Sequence, residues 1–116
     1  MISSDRILDL TDKLNSLEFC LGNVIVNRTV SIEKSEVVNR LDMIGEELVN
    51  NTSNLNKKLP MIEVLRSNRD VIEKAVKKKM TTYMSLAFKI EMMKRRLTGE
   101  GEVKISTHVA NFIKNV

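Results

Sequence analysis

The residues of this chain that could perform acid, base or nucleophilic chemistry are few. His108 is the only histidine and Cys20 the only cysteine among 116 residues. His108 has no Cys, Asp or Glu at metal-ligand spacing on the same predicted helix face, and Cys20 lies in an apolar stretch without a basic neighbour to favour the thiolate. We therefore expect a structural or solvent-facing role for His108 and a packing role for Cys20, with no metal site, no cofactor and no enzymatic activity.

The segment Gly99-Glu100-Gly101 is the only glycine-rich stretch. It is too short for a phosphate-binding loop and follows a predicted helix, whereas such loops follow a strand and open a helix. We interpret it as a helix end, with Gly99 at the carboxy-terminal capping position. The sequence predicts no small-molecule substrate.

Two basic clusters dominate the charge pattern: Lys77, Lys78, Lys79, Lys94, Arg95 and Arg96. The net charge of +4 divides into −4 over residues 1–56 and +8 over residues 57–116. Consecutive helical residues point about 100° apart, so each cluster surrounds its helix and does not form a stripe. The two clusters make a basic helical adaptor for nucleic acid or acidic membrane an alternative function. Because they form no continuous stripe, we expect neither nucleic acid nor membrane to be the main partner.

The apolar residues follow a coiled-coil spacing. In the first segment they fall three and four apart, at Ile7, Leu10, Leu14, Leu17, Leu21 and Val24. A second register runs from Val37 to Leu97, and fourteen of its eighteen positions are apolar. A period near 3.5 residues is typical of left-handed coiled coils. The 3% aromatic content and the single proline also favour long helices over a compact β module.

These patterns predict one helical domain over residues 1–116, with helices at about 4–22, 31–56, 60–97 and 105–115. A turn is expected between Leu21 and Ser31, where β-branched residues lower helix propensity. The Asn50–Asn54 run and Pro60 predict a break within 50–60, followed by an uninterrupted helix from Met61 to Leu97. The predicted fold class is all-α, an elongated three-helix coiled-coil bundle with a short C-terminal helix.

The apolar positions of the two registers form one face of each predicted helix, which we call the apolar seam. We expect the apolar seam to pack within the protein and against partner helices. The predicted partner-binding residues are Leu14, Leu17, Leu41, Leu48, Leu65, Ile72, Leu86 and Ile90. Four polar seam positions, Asn51, Lys58, Arg69 and Lys79, indicate either a heteromeric setting or turns that face water. The expected partners are other helical coiled-coil subunits in a hetero-oligomer. The amino terminus lacks the basic start and apolar run of a secretory signal, which favours the cytoplasm.

One segment carries a family resemblance. The pattern of Leu10, Lys13, Leu14, Leu17-Glu18 and Gly22 resembles the opening of the dynactin subunit 3 family, the small light-chain-like subunit of the dynactin shoulder, and the resemblance covers about residues 7–66. It implies a non-catalytic, cytoskeleton-associated subunit that supports dynein-driven microtubule transport, with the other helical shoulder subunits as partners. A small coiled-coil subunit of a tethering or kinetochore complex is the alternative.

Overall fold

The computed structural model describes residues 4–22, 28–62 and 69–116. Its elements in chain order are α1 (Ser4–Leu21), β1 (Thr29–Glu33), α2 (Lys34–Ile62), α3 (Arg69–Arg96), β2 (Glu102–Ser106) and α4 (Thr107–Lys114). The described chain is therefore mostly helical. The expected bounds of the first and last helices agree with α1 and, within two residues, with α4.

Helices α2 and α3 form an antiparallel hairpin. Asp42 of α2 contacts Lys94 near the end of α3, while Thr52 lies beside Met80, nearer the start of α3. The molecule extends 54 × 25 × 22 Å with a radius of gyration of 16.8 Å, whereas a compact chain of this length would have a radius of about 13 Å. The predicted elongated shape is confirmed.

The all-α prediction is wrong in one respect, because a two-stranded antiparallel sheet joins the two halves of the chain. Strand β1 pairs with β2 so that Val30 lies opposite Ile105 and Ile32 opposite Val103. These four apolar side chains pack against the core. Strand β1 includes residues 31–33, which were predicted to begin the second helix. Strand β2 covers residues 102–106, between the predicted end of the third helix and the first residues of the predicted last helix.

The predicted break within 50–60 is also wrong, since α2 continues to Ile62. The Asn51 amide donates to the Glu47 carbonyl oxygen at 2.8 Å, and the Thr52 hydroxyl donates to the Leu48 carbonyl oxygen at 2.9 Å. These side chains thus bond to the preceding turn without displacing the helical backbone. Pro60 lies in the last turn of α2, and the helix continues through it for only two further residues.

The third helix begins later than predicted. Residues 61 and 62 end α2, and α3 begins at Arg69, so one helix from 60 to 97 is not formed. The apolar spacing continues with the same period from α2 into α3, so it does not reveal that the two helices run antiparallel. Leu65 and residues 63–68 lie outside the described residues.

The core lies where α1 packs against α3, β2 and α4. From α1 it receives Leu10, Leu14, Leu17 and Cys20. Ten positions of the second register are also buried: Val37, Leu41, Ile44, Leu48, Leu55, Tyr83, Leu86, Ile90, Met93 and Leu97. The ribbon of β1 and β2, together with α4, adds Ile32, Ile105, Val109, Ala110 and Ile113. The apolar register was therefore a correct guide to the buried face of each long helix.

Candidate partner-binding surface

Most of the residues predicted to bind partners are enclosed within the chain itself. Six have at most 5% of their surface exposed: Leu14, Leu17, Leu41, Leu48, Leu86 and Ile90. Ile72 is half-buried, and Leu65 lies outside the described residues. A partner that binds this conformation must contact other side chains, because these six pack against neighbouring elements of their own chain.

The predicted basic residues do not meet in one patch. Lys77, Lys78 and Lys79 are exposed and point in different directions around α3. The Lys77 ammonium lies 2.9 Å from the Glu73 carboxylate. Arg95 and Arg96 are exposed, and the Arg95 guanidinium approaches the Met92 sulfur at 4.0 Å.

Lys94 is occupied by acidic neighbours. Its ammonium contacts the carboxylate of Asp42 and lies 3.2 Å from that of Glu91. The hydrogen bond from Lys94 to Asp42, and secondly that to Glu91, raises the pKa of Lys94 above its ordinary value, against a small opposing effect of burial. Lys94 therefore joins α2 to α3 and is less available to an external anion than an isolated lysine would be.

The two residues with possible chemistry have structural surroundings. Cys20 is buried in the core, and the His108 imidazole contacts the Lys13 ammonium on an exposed surface. Among the described residues, no group of three His, Cys, Asp or Glu side chains could hold a metal ion. Within the same part of the chain, no helix is long and apolar enough to cross a membrane.

A different surface, the hairpin groove, is exposed between α2 and α3. We define it by Gly45, Val49 and Thr52 of α2 together with Met84 and Phe88 of α3, which line two adjoining depressions that share Met84 and Phe88. Phe88 is 68% exposed, and Val49 and Met84 are each 48% exposed. Large apolar side chains that adjoin one another in water mark interaction surfaces more strongly than scattered ones.

Local structure explains why the groove remains open. Lys89 lies about 140° from Met84 around α3 and 3.9 Å from Glu18 of α1, so α1 packs on the side of α3 that faces away from Met84. The groove face therefore has no third helix from the described part of this chain. Gly45 also makes the groove deeper at its position, because it has no side chain next to Ile90.

Charged residues flank the groove. Asp42, Glu46 and Glu91 lie at one end. On α3 the face of Met84 continues past the groove to Glu73 and Lys77 in one direction and to Arg95 in the other. The α3 stripe is the resulting row of seven residues on one helix face: Glu73, Lys77, Met80, Met84, Phe88, Glu91 and Arg95.

Sequence reasoning missed this surface because it followed the buried register. Met84, Phe88 and Met92 recur at four-residue spacing outside that register, which is the signal of a second apolar face on the same helix. Methionine suits both a core and an interface, so the residue type at position 84 does not by itself distinguish the two.

No protein-family model, curated protein or solved structure matches the chain. The groove, and not a sequence relative, therefore provides the basis for a functional hypothesis.

Proposed function

We propose that this protein is a non-catalytic structural subunit of a multi-protein helical complex and that the hairpin groove binds its partners. The observation that carries the proposal is Phe88, which is 68% exposed within an apolar groove shared by two helices. Burying a phenylalanine side chain contributes about 1.5–3 kcal/mol. Exposing one beside Val49 and Met84 has an unfavourable hydration free energy that a bound partner would remove.

The shape and chemistry of the groove favour a helical partner. Two antiparallel helices border it, and an amphipathic helix can lay its apolar face along such a surface. The charged residues at its ends provide positions where a partner's orientation could be selected. As part of the same proposal, α1, α2 and α3 form a three-helix coiled-coil bundle, which is supported by the burial of their heptad positions.

Within this class we propose a subunit similar to those of the dynactin shoulder, acting in the cytoplasm on cytoskeletal, dynein-driven transport. The support is the residue pattern from Leu10 to Gly22. The alternative is a small coiled-coil subunit of a tethering or kinetochore complex. The identity of the co-purifying subunits distinguishes these two assignments.

The proposal is tested by affinity purification from cells with the full chain as bait. Phe88→Glu places a carboxylate in the groove, and Leu8→Glu is the matched control because Leu8 is 69% exposed on α1, which lies on the other side of α3. We expect helical subunits to co-purify with the wild type and with Leu8→Glu and to be lost with Phe88→Glu.

Two results would contradict the proposal. One is equal recovery of the same subunits with both variants, which would place the binding surface elsewhere. The other is recovery of nucleic acid or acidic lipid, with affinity that falls steeply with salt and requires Lys77, Lys78 and Lys79, because that behaviour belongs to the basic adaptor.

A further inference from the structure

The α3 stripe has a symmetric spacing. Its seven residues are separated by four, three, four, four, three and four positions, so the row reads the same in both directions from Met84. A helix face with this property can pair with a copy of itself in the antiparallel direction, residue against residue, about a two-fold axis at Met84.

The charges of the stripe match this arrangement. Antiparallel pairing about Met84 brings Lys77 opposite the second copy's Glu91, and Glu73 opposite its Arg95. Both pairs have opposite charges, and symmetry produces each of them twice, in addition to the contacts that Lys77 makes with Glu73 and Glu91 with Lys94 within each chain. A parallel pairing would instead put Glu73, Lys77, Glu91 and Arg95 each against its own copy. Like charges in direct opposition are unfavourable at interfaces, so the stripe selects the antiparallel orientation.

The centre of the stripe is apolar. The same pairing places Met80 opposite the second copy's Phe88, and Met84 opposite its own equivalent. Phe88 and Met84 are the exposed members of this group, while Met80 is half-buried. Methionine adapts its shape to an aromatic neighbour and gains favourable sulfur contacts with the ring.

The size of the contact shows that α2 must contribute. The stripe spans 22 residue steps, about 33 Å at 1.5 Å per residue, and a single helix face about 10 Å wide would cover only about 330 Å². A standard interface covers about 800 Å² on each partner. Adding an equal length of α2, whose Val49 lines the groove together with Met84, doubles the area to about 660 Å², so two hairpins must meet face to face.

We propose that the hairpin groove binds a second copy of this chain, with the two α3 helices antiparallel and Met84 on the two-fold axis. The inference rests on the proposed function, since it assigns the first helical partner of that same groove. The assembly is a symmetric arrangement of four helices, formed by α2 and α3 from each copy.

Light scattering on the purified full chain at about 100 μM detects a dimer whose Kd lies below about 10 μM. We expect a mass twice the 13.2 kDa of one chain. Phe88→Glu should weaken dimerisation at least about thirtyfold, as expected for a central interface residue, whereas Leu8→Glu should leave the mass unchanged. Circular dichroism establishes that each variant retains its helical content.

A charge exchange tests the orientation. Lys77→Glu and Glu91→Lys each create two like-charge contacts, so each variant alone should be monomeric. When the two variants are mixed, the carboxylate introduced at position 77 of one chain faces the ammonium introduced at position 91 of the other. The unchanged Glu91 of the first chain then faces the unchanged Lys77 of the second. We expect the mixture to regain the dimer mass, which neither a change in folding nor a parallel pairing would produce.

The outcomes separate this inference from the proposed function. A monomeric wild type, or a mixture that stays monomeric, overturns the self-pairing; if Phe88→Glu still abolishes recovery of helical subunits from cells, the proposed function stands with another partner. A dimer that follows the charge exchange, without recovery of any other helical subunit, supports the self-pairing and contradicts a hetero-oligomeric function.

Discussion

The two ends of the molecule use the same heptad pattern and differ in how completely they enclose it. At the ribbon end, which we define by residues 34–49 of α2 and 83–96 of α3, α1 packs against α3, and β1 and α4 pack against α2. At the hairpin end, α2 and α3 continue as residues 50–62 and 69–82. Among the described side chains of the hairpin end, only Leu55 is buried, although the register contains Ile72 and Val76 as well.

The difference shows that two helices alone bury few heptad positions and that most are buried where a third element covers the pair. Two helices alone leave part of each face in water, and at the hairpin end Ile72 and Val76 are half-buried while Lys58 and Lys79 are exposed. The polar residues at the seam positions Lys58 and Lys79 are therefore explained by turns that face water. A buried polar contact with a partner is not needed to account for them.

The largest expected effect compares a leucine from each end. Leu41→Ala at the ribbon end removes a side chain with no exposed surface and should lower the free energy of unfolding by about 3–5 kcal/mol. Leu55→Ala should lower the free energy of unfolding by only about 2 kcal/mol, because water and neighbouring side chains can fill the space in a less enclosed site. Urea unfolding followed by circular dichroism measures both.

Val71→Ala is the control for this pair, since Val71 is 69% exposed and its truncation should change the free energy of unfolding by less than about 0.5 kcal/mol. Equal losses of unfolding free energy for Leu41→Ala and Leu55→Ala would show that the two ends are equally enclosed and would contradict the difference described between them.

The sequence predicted what depends on local periodicity. The extent of α1 and the buried face of all three long helices follow from the spacing of Leu, Ile, Val and Met. The two strands do follow a strict alternation, in Thr29-Val30-Ser31-Ile32-Glu33 and Glu102-Val103-Lys104-Ile105-Ser106. Five residues of alternation become a strand only through pairing with a distant partner, and no local signal reveals that partner.

The candidate site was less predictable than the fold. The seam residues were expected to pack both within the protein and against partner helices, and folding encloses Leu14 and Leu41 within the chain. Whether an apolar helix face is covered depends on where α1 packs, and this is a property of the tertiary arrangement. The spacing of Met84 and Phe88 outside the buried register indicates a second apolar face on α3, but it does not show which face α1 covers.

The next expected effect contrasts two glycines. Gly101 has φ +114° where the chain enters β2, and its carbonyl oxygen accepts a hydrogen bond from the Lys34 N–H at 2.9 Å. Gly101→Ala should cost about 1–2 kcal/mol, because an L side chain is disfavoured at this backbone conformation. Gly45 lies inside α2, and a Cβ there would be 3.7 Å from the Ile90 Cγ2.

Gly45→Ala should therefore stabilise α2 by about 0.5–1 kcal/mol through helix propensity. Thermal unfolding of the two variants should shift in opposite directions. If Gly101→Ala were neutral, the turn that leads into the ribbon would tolerate another backbone conformation. The backbone of the ribbon end would then be less rigid than its comparison with the hairpin end assumes.

A smaller effect is expected at the start of α4. The Ser106 hydroxyl accepts a hydrogen bond from the Val109 N–H at 3.3 Å, so Ser106→Ala should cost about 1 kcal/mol. Thr81 at the hairpin end also uses its hydroxyl locally, donating to the Lys77 carbonyl oxygen at 3.0 Å. Thr81→Ala should be neutral or slightly stabilising, because alanine is the better residue in a helix interior.

Urea unfolding measures both substitutions, with hydrogen exchange of the α4 amides as a local readout for Ser106→Ala. Faster exchange confined to α4 is expected. A loss of protection that instead spreads to the hairpin end would mean that the two ends unfold as one unit.

The smallest expected effect concerns the ion pair of Asp42 and Lys94, which joins α2 to α3 at the ribbon end. Because Asp42 and then Glu91 raise the pKa of Lys94 above 10.5, the folded chain holds this proton more tightly than the unfolded chain. The contribution to stability is therefore complete below pH 10.5 and is lost as pH rises through the raised pKa of Lys94.

At pH 7, Asp42→Asn should lower the free energy of unfolding by less than about 1 kcal/mol, since the pair is partly exposed. The difference between wild type and variant should shrink when the pH is raised above 10.5 or when salt is added. Urea unfolding across this pH range measures it, with Lys94→Met as a second variant that should lose the same pH dependence. A difference that persists unchanged at high pH would show that Asp42 stabilises the contact between α2 and α3 by packing and not by charge.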